Sequence, residues 1–163
     1  MADNQPAKVE HEIAPIVDRD ALLADLVDFV NRLDLELQGA DVGIPVILTV
    51  GGALISGYAI GGATWLKRFG QQWKNGFDNL AEEGPEEAAQ AGAFFENKYA
   101  QIADRVYGNP DDPSKPLPSF IHLRDARLYH PSGAVPVDGE GMLWRGRLTA
   151  VDGFAFGLLG PKS

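Results

Sequence analysis

An uncharged run of 25 residues, from Val42 to Leu66, constrains what this chain can fold into more than any other feature. Its length would suit a membrane-spanning helix. The run nevertheless contains six glycines and Pro45, and each interior glycine costs a helix about 1 kcal/mol relative to alanine. The adjacent Gly51 and Gly52 instead indicate a two-residue turn, because glycine adopts positive φ without strain. The sequence therefore predicts a β-hairpin over residues 44–60 rather than a transmembrane helix.

The turn also predicts which residues of the hairpin face each other. One face would consist of apolar residues and glycine, with Val50 opposite Ala53, Leu48 opposite Ile55, Val46 opposite Gly57, and Ile44 opposite Ala59. The other face would be mixed, with Thr49 opposite Leu54, Ile47 opposite Ser56, and Pro45 opposite Tyr58. A hairpin that buries one face in a core has this pattern.

The composition is that of a soluble globular protein. A chain of 163 residues that is 45% hydrophobic can form one domain with a sizeable core. Cysteine is absent from the sequence, which excludes a disulfide framework and a thiolate metal site. The first residues, MADNQPAKVEHE, contain no apolar stretch, so we expect no signal peptide and a cytoplasmic protein.

Charge is distributed unevenly along the chain. The net charge is -9, but residues 1–116 hold 19 acidic and 9 basic side chains, a net of -10, whereas residues 117–163 hold 4 acidic and 5 basic side chains, a net of +1. Acidic surfaces repel nucleic acid and anionic membranes. We therefore expect neither nucleic acid nor a membrane as a partner.

The N-terminal part is predicted to contain a flexible segment and a helix. Residues 1–17 are polar and expected to be flexible, and residues 18–160 are expected to form a single domain. Asp18 or Asp20 can cap a helix that runs through ALLADLVDFVNRL. The apolar residues of this helix recur at helical spacing and are Leu22, Leu23, Leu26, Val27, Val30 and Leu33.

A helical insertion is predicted to follow the hairpin, over about residues 63–107. It should break at Glu83-Gly84-Pro85, because Pro85 suits the first turn of a second helix. Four prolines in GNPDDPSKPLP, residues 108–118, predict an exposed loop. The apolar residues of the insertion are Trp65, Leu66, Phe69 and Trp73 in the first helix and Phe94, Phe95, Tyr99, Ile102 and Val106 in the second.

The segment FIHLRDARLYH predicts a bent strand. Ile121 and Leu123 share one face by alternation, whereas Ala126 and Leu128 share the other. A bulge or sharp bend near Asp125 would bring all four onto one side.

The last part of the chain predicts two more strands. In MLWRGRLTAV, Trp144 lies on the apolar side by alternation, and Arg145 and Arg147 lie on the opposite side. Asp152-Gly153 precedes FAFGLL and predicts another hairpin turn.

These elements together predict an α+β fold with an N-terminal helix, a helical insertion, and a small, strongly bent antiparallel β-barrel or sheet. The order of one helix and five strands resembles that of the Sm-like barrel. In that arrangement Gly57 would mark the bend of the second strand, since glycine inside a strand permits sharp curvature.

Three motifs behind the amphipathic helix carry a closer resemblance. LTVGGALISG, FIHLRDAR and WRGRLTAVDGFAFG occur in this order and resemble the gas vesicle accessory protein U family over roughly residues 20–66 and 118–159. The resemblance implies a non-enzymatic accessory factor in the cytoplasm, at the gas vesicle surface. It also implies self-association that promotes vesicle assembly or clustering, with further copies of the chain and gas vesicle shell proteins as partners.

Candidate catalytic residues are sparse. His122 and His130 would lie roughly 27 Å apart along an unbent strand, and neither they nor His11 has a metal-ligand spacing. A set of Ser56, His122 and Asp125 can be assembled on paper, but Ser56 lacks the context of a nucleophile elbow. We therefore expect no enzymatic activity, no cofactor and no metal.

The basic and aromatic residues of the C-terminal strands are the stronger candidates for function. These residues are Arg124, Arg127, Tyr129, Trp144, Arg145 and Arg147. They have two interpretations, either solvated exterior positions or an interaction surface that contacts the acidic segment Asp78–Glu87 of a second copy, since arginine pairs well with carboxylates. An Sm-like module that binds RNA or another small ligand is the alternative function, although sequence-independent RNA binding requires a basic track.

Overall fold

A computed structural model describes residues 19–38, 40, 42–82, 86–109, 111–130, 133–135 and 139–160. Within that part, the fold belongs to the predicted α+β class. The elements in chain order are α1 (Ala21–Glu36), β1 (Ile44–Val50), β2 (Ala53–Ala59), α2 (Gly62–Glu82), α3 (Glu87–Tyr107), β3 (Phe120–His130), β4 (Gly133–Val135), β5 (Met142–Arg147) and β6 (Gly153–Phe156). The segment 1–17, which was expected to be flexible, lies outside the described residues. No helix in the described ranges is long and apolar enough to cross a membrane.

The hairpin of β1 and β2 confirms the predicted turn and register. All seven predicted residue pairs are formed, from Ile44 opposite Ala59 to Val50 opposite Ala53. Gly51 and Gly52 have φ values of 55° and 80°, a region that residues with a Cβ rarely adopt. The apolar face enters the core as expected. The mixed face is less exposed than predicted, because the Ser56 side chain is buried.

The strands form an open antiparallel sheet. The order is β4-β3-β2-β1-β6, and β5 pairs with β3. The pairings within the described part of the chain do not close the sheet into a barrel. Of the two predicted forms, barrel and sheet, the structure therefore has the sheet.

A bulge in β3 produces the predicted bend. The register shifts between Leu123 and Ala126 on the β5 side, and Asp125 has a φ of 50°. On the β2 side the shift falls at Gly57, where an added Cβ would lie 2.9 Å from the backbone oxygen of Arg124. The bulge changes the phase of the strand, so Ala126 is buried in the core with Ile121 and Leu123. Leu128, the fourth residue predicted for this side, is 38% exposed.

One core joins α1 to the sheet. Its buried residues are Leu23, Val27, Val46, Leu48, Ile55, Ala59, Ile121, Leu123, Ala126 and Leu148. The Asp20 carboxylate caps α1 as predicted, since it accepts a hydrogen bond of 3.0 Å from the Leu23 N–H. Asp18, the other predicted cap, lies outside the described residues.

Leu22 corrects the predicted apolar stripe of α1. The buried positions of α1 are Leu23, Val27, Val30 and Asp34, whereas Leu22 is 71% exposed. Leu22 precedes Leu23 by one residue and therefore projects about 100° away from it around the helix.

The helices α2 and α3 lie where the helical insertion was predicted and form an antiparallel hairpin. The expected break at Glu83-Gly84-Pro85 falls outside the described residues. Two glycines allow the helices to approach closely, because a Cβ on Gly70 would lie 3.1 Å from Tyr99 Cβ, and one on Gly92 would lie 3.0 Å from Phe77 Cβ.

Side chains of α1 cap the first turn of α2. The Asn31 side-chain oxygen accepts a hydrogen bond of 2.9 Å from the Gly62 N–H. The buried Asp34 carboxylate accepts from the Thr64 N–H at 3.1 Å and from the Thr64 hydroxyl at 2.6 Å. These contacts satisfy N–H groups that have no partner within their own helix, and they fix α2 against α1.

The hairpin predicted at Asp152-Gly153 is wrong. Strand β6 pairs with β1 and not with β5. The chain leaves β5 through a 3-10 turn at Leu148–Ala150, and Leu148 is buried in the core. The Asp152 N–H then donates to the Thr49 backbone oxygen at 2.8 Å. The buried leucine and this long-range contact carry the chain to the opposite edge of the sheet.

Candidate functional site

Three of the six predicted interface residues lie on β3, and each is held by contacts within the chain. The guanidinium of Arg124 lies 4.3 Å from the centre of the Tyr58 ring and pairs with Asp125. Arg127 donates a hydrogen bond to the Gly139 backbone oxygen. The third residue is Tyr129, whose hydroxyl donates to the Leu159 backbone oxygen.

The other three predicted residues lie on β5 and occupy its two faces. Trp144 is partly buried and packs against the core, so it does not share a face with the arginines. The Arg145 guanidinium stacks on the Phe120 ring at 3.5 Å from its centre, and Arg147 is exposed. Arg145 and Arg147 therefore form one face of β5, the arginine face, and Trp144 lies on the opposite face of the strand.

His122 lies beneath Arg145 and is almost completely buried, with 2% of its surface exposed. Its Nε2 accepts a hydrogen bond of 3.2 Å from Arg145 Nε. Burial, assisted by the Arg145 charge, lowers the pKa of His122 to about 3. The imidazole is therefore neutral at ordinary pH, with its proton on Nδ1. The rings of Trp65 and Tyr107 lie 5.2 and 5.9 Å from it.

The contacts do not assemble the serine, histidine and aspartate set. The Ser56 hydroxyl accepts from the Leu159 N–H at 2.9 Å, His122 contacts Arg145, and Asp125 pairs with Arg124. Within the described ranges, no group of three histidine, aspartate or glutamate side chains could hold a metal ion.

A cleft of about 870 Å³ opens beside the arginine face. It lies between α1, the end of α3 and the proline-rich loop of residues 108–118. Arg32 fastens the loop to α1, since it pairs with Asp28 at 2.8 Å and with Asp111 at 2.7 Å. The hydrogen bonds to these carboxylates, Asp28 first, raise the pKa of Arg32 above its usual range. Arg19 adds a hydrogen bond of 2.9 Å to the Pro118 backbone oxygen.

Tyr107, Phe120 and Arg145 also line the cleft. Burial raises the pKa of Tyr107, although the Arg145 charge acts in the opposite direction. The sequence did not indicate this cleft, because its residues come from three separate stretches, which are residues 19–32, residues 106–120 and Arg145.

A second surface, the aromatic face, runs along the helical hairpin. A shallow groove of about 370 Å³ follows α2 and is lined by Phe69, Gln72, Trp73, Gly76, Phe77 and Leu80. The ring of Phe95 on α3 stacks on Trp73 at 5.2 Å and on Phe77 at 5.7 Å between ring centres. Trp73 remains 41% exposed and Leu80 63% exposed. The sequence pattern showed the apolar stripe but could not show that part of it has no covering element.

The family of the chain follows from a comparison with protein-family models. The model of the family described as gas vesicle protein GvpU-like matches residues 20–159. The chain therefore belongs to this family and is a gas vesicle-related protein, as the sequence motifs indicated. Comparisons with curated proteins and with solved structures give no significant match.

Proposed function

We propose that this GvpU-like chain is a non-enzymatic accessory protein that self-associates in the cytoplasm at the gas vesicle surface and thereby promotes vesicle assembly or clustering. Family membership over residues 20–159 supports the gas vesicle context. Gas vesicle shell proteins are the further partners in this proposal.

The observation that carries the proposal is the aromatic face. The helical hairpin meets the sheet at its base, where Trp65 and Tyr107 contact His122. Further along, Trp73, Leu80 and Phe94 are 41%, 63% and 61% exposed. A cluster of large apolar side chains at the surface is typical of a site for association.

Gly76 on α2 favours a second copy of α2 as the partner that occupies the groove of the aromatic face. Gly70 and Gly92 face the α2–α3 contact, but a Cβ on Gly76 would meet nothing within 4 Å. An exposed glycine costs a helix about 1 kcal/mol relative to alanine. Packing within the chain does not require it, whereas close approach of a partner helix would.

The spacing of Leu80 and Gly76 allows each residue to pack against the other one in a second copy of α2. They lie four residues apart, on one side of α2, and both line the groove. When two copies of α2 cross in antiparallel orientation about a point midway between these residues, Leu80 of each copy lies over Gly76 of the other. Packing of a large side chain into the space above a small one is the general basis of helix contacts.

The charges along α2 favour the same orientation. The basic residues Lys67, Arg68 and Lys74 precede Gly76, and the acidic residues Asp78 and Glu82 follow it. An antiparallel crossing places the basic half of one copy beside the acidic half of the other. Lys74 already pairs with Asp78 at 2.6 Å, and exposed ion pairs contribute only about 0–1 kcal/mol each. The charges would therefore select the orientation, and the apolar contact would supply most of the affinity.

The edge of β6 provides a second surface for association. Within the described part of the chain, β6 pairs with β1 only, and Phe156 on this strand is 66% exposed. A free edge offers unpaired backbone groups to another chain. Two surfaces on each copy allow open, multivalent assembly, which is what clustering of vesicles requires.

The substitution Gly76→Leu tests whether copies of the chain associate through the aromatic face. Gly76→Leu should leave the melting temperature unchanged or raise it, because leucine favours a helix and nothing occupies the space above Gly76. The same change should lower the apparent mass in light scattering. The new side chain would fill the space above position 76 that Leu80 of the second copy would otherwise occupy. Asn79→Leu adds the same side chain at an exposed position of α2 that does not line the groove, and it should associate as wild type does. Equal association of Gly76→Leu and wild type would contradict a contact through this face.

A further inference from the structure

The cleft beside α1 has the features of a site for a small anionic ligand, independently of self-association. Its volume of about 870 Å³ lies in the range of small-molecule sites. Phe120, Tyr107 and Arg145 line it together with several other charged residues. Small-molecule sites combine apolar side chains with polar groups that fix the orientation of the ligand.

Arg145 is fixed in place by neutral groups. The Phe120 ring supports its guanidinium at 3.5 Å, and His122 Nε2 accepts from its Nε at 3.2 Å. Within the described ranges, no carboxylate forms an ion pair with Arg145. The two terminal nitrogens of a guanidinium form a planar fork that can bind a carboxylate or a phosphate in a bidentate manner.

The neutral state of His122 is what makes this arrangement distinctive. A carboxylate in its place would orient the arginine equally well but would cancel its charge. Arg32, on the same cleft, shows that alternative, because Asp28 and Asp111 both pair with it. Arg145 lines the cleft without a carboxylate partner among the described residues, so its guanidinium is available to an anionic ligand.

The other charges of the cleft limit the class of ligand. Arg19, Arg32 and Lys115 line the cleft together with Arg145, whereas Asp25 and Asp28 line the α1 side and Asp111 and Asp112 the loop side. These four carboxylates would repel a polyanion such as nucleic acid. They would tolerate a molecule that has one anionic group and otherwise carries hydroxyl or amino groups.

We propose that this cleft binds a small organic molecule through one carboxylate or phosphate group, which pairs with Arg145. The Tyr107 hydroxyl donates a further hydrogen bond to the bound group. His122 is a positioning residue, since it acts on the ligand only by holding Arg145.

The first test uses acetate and inorganic phosphate as probes, each titrated against sodium chloride at matched ionic strength. In nitrogen-15 NMR spectra, millimolar acetate or phosphate should shift the Arg145 Nε–H signal and the backbone amide signal of Phe120, which lines the cleft. Arg145→Gln should abolish the Phe120 shift. Arg147→Gln removes an exposed arginine of the same strand that does not line the cleft, and it should retain both shifts.

Two outcomes of this titration would contradict binding at Arg145. Absence of any shift beyond that caused by chloride would overturn the proposal. An equal loss of the shifts in Arg147→Gln would also overturn it, because binding would then reflect the general charge of the strand. A shift with one probe alone would retain the site and identify its ligand group as carboxylate or phosphate.

The role of His122 requires a pair of variants. His122→Asn keeps a neutral acceptor for Arg145 and should preserve binding of the probe within a few-fold. His122→Leu removes the acceptor and should weaken binding about tenfold, which corresponds to one well-placed hydrogen bond. Equal binding by both variants would show that His122 does not position Arg145.

Discussion

At the scale of single residues, burial gives His122 properties that its sequence context did not reveal. Strand alternation placed it on the face opposite Ile121 and Leu123, where the sequence did not indicate burial. The structure buries it instead beneath Trp65 and Tyr107. The covering aromatic residues come from the helical insertion, and a sequence does not show which strand an inserted helix packs against.

His122 should make the stability of the protein depend on pH. Because its pKa in the folded protein is about 3 and its ordinary value is 6.5, the unfolded chain binds an additional proton between these values. Stability should be complete above about pH 6.5 and should fall as the pH drops through this window, by at most about 1.4 kcal/mol per pH unit. Chemical denaturation at several pH values measures the slope.

Two variants separate this effect from the titration of carboxylates. His122→Asn should flatten the slope between about pH 6.5 and pH 4, because asparagine does not titrate. His130→Asn, a change at the exposed end of β3, should keep the wild-type slope. An unchanged slope in His122→Asn would show that the histidine does not couple folding to pH.

Among helices and strands, local sequence signals predicted turns and adjacent strand pairs but not the pairing of strands that are distant in sequence. The Gly51-Gly52 turn and the alternation around it predicted every pair of the β1–β2 hairpin, because turn and register are set by adjacent residues. The Asp152-Gly153 signal failed for the same reason. The pairing of β6 with β1 depends on residues about 100 positions apart, and the local dipeptide carries no information about it.

The contact between α1 and α2 should depend strongly on Asp34. Asp34→Ala removes the acceptor for two hydrogen bonds from Thr64 and leaves part of the first turn of α2 without partners. The free energy of unfolding should fall by about 1–3 kcal/mol, as measured by urea denaturation. Asp25→Ala changes an exposed aspartate of the same helix and should cost less than about 0.5 kcal/mol. Equal effects of the two substitutions would show that Asp34 does not cap α2.

At the scale of the whole molecule, the acidic charge separates the proposed function from its alternative. The net charge of -9 opposes contact with nucleic acid, and most of the C-terminal arginines are held by contacts within the chain. The sequence predicted the family and the charge division, both of which are visible without coordinates. It did not predict the cleft or the free aromatic face, since these depend on how separate segments pack.

Binding of single-stranded RNA should be weak for this reason. At physiological salt, the affinity should be no better than about 0.1 mM, the weak end of non-specific binding. Fluorescence anisotropy with a labelled oligonucleotide measures it. A micromolar affinity that falls steeply with salt would favour the Sm-like RNA-binding alternative over an accessory role.

The proposed function requires that copies of this chain associate through the aromatic face and thereby bring gas vesicles together. The most direct measurement is the size of vesicle clusters in dynamic light scattering after purified protein is added to isolated vesicles. Wild type and Asn79→Leu should enlarge the clusters, whereas Gly76→Leu, with an unchanged fold, should leave the vesicles dispersed. Vesicles that remain dispersed with wild type, or that cluster equally with Gly76→Leu, would contradict the claim.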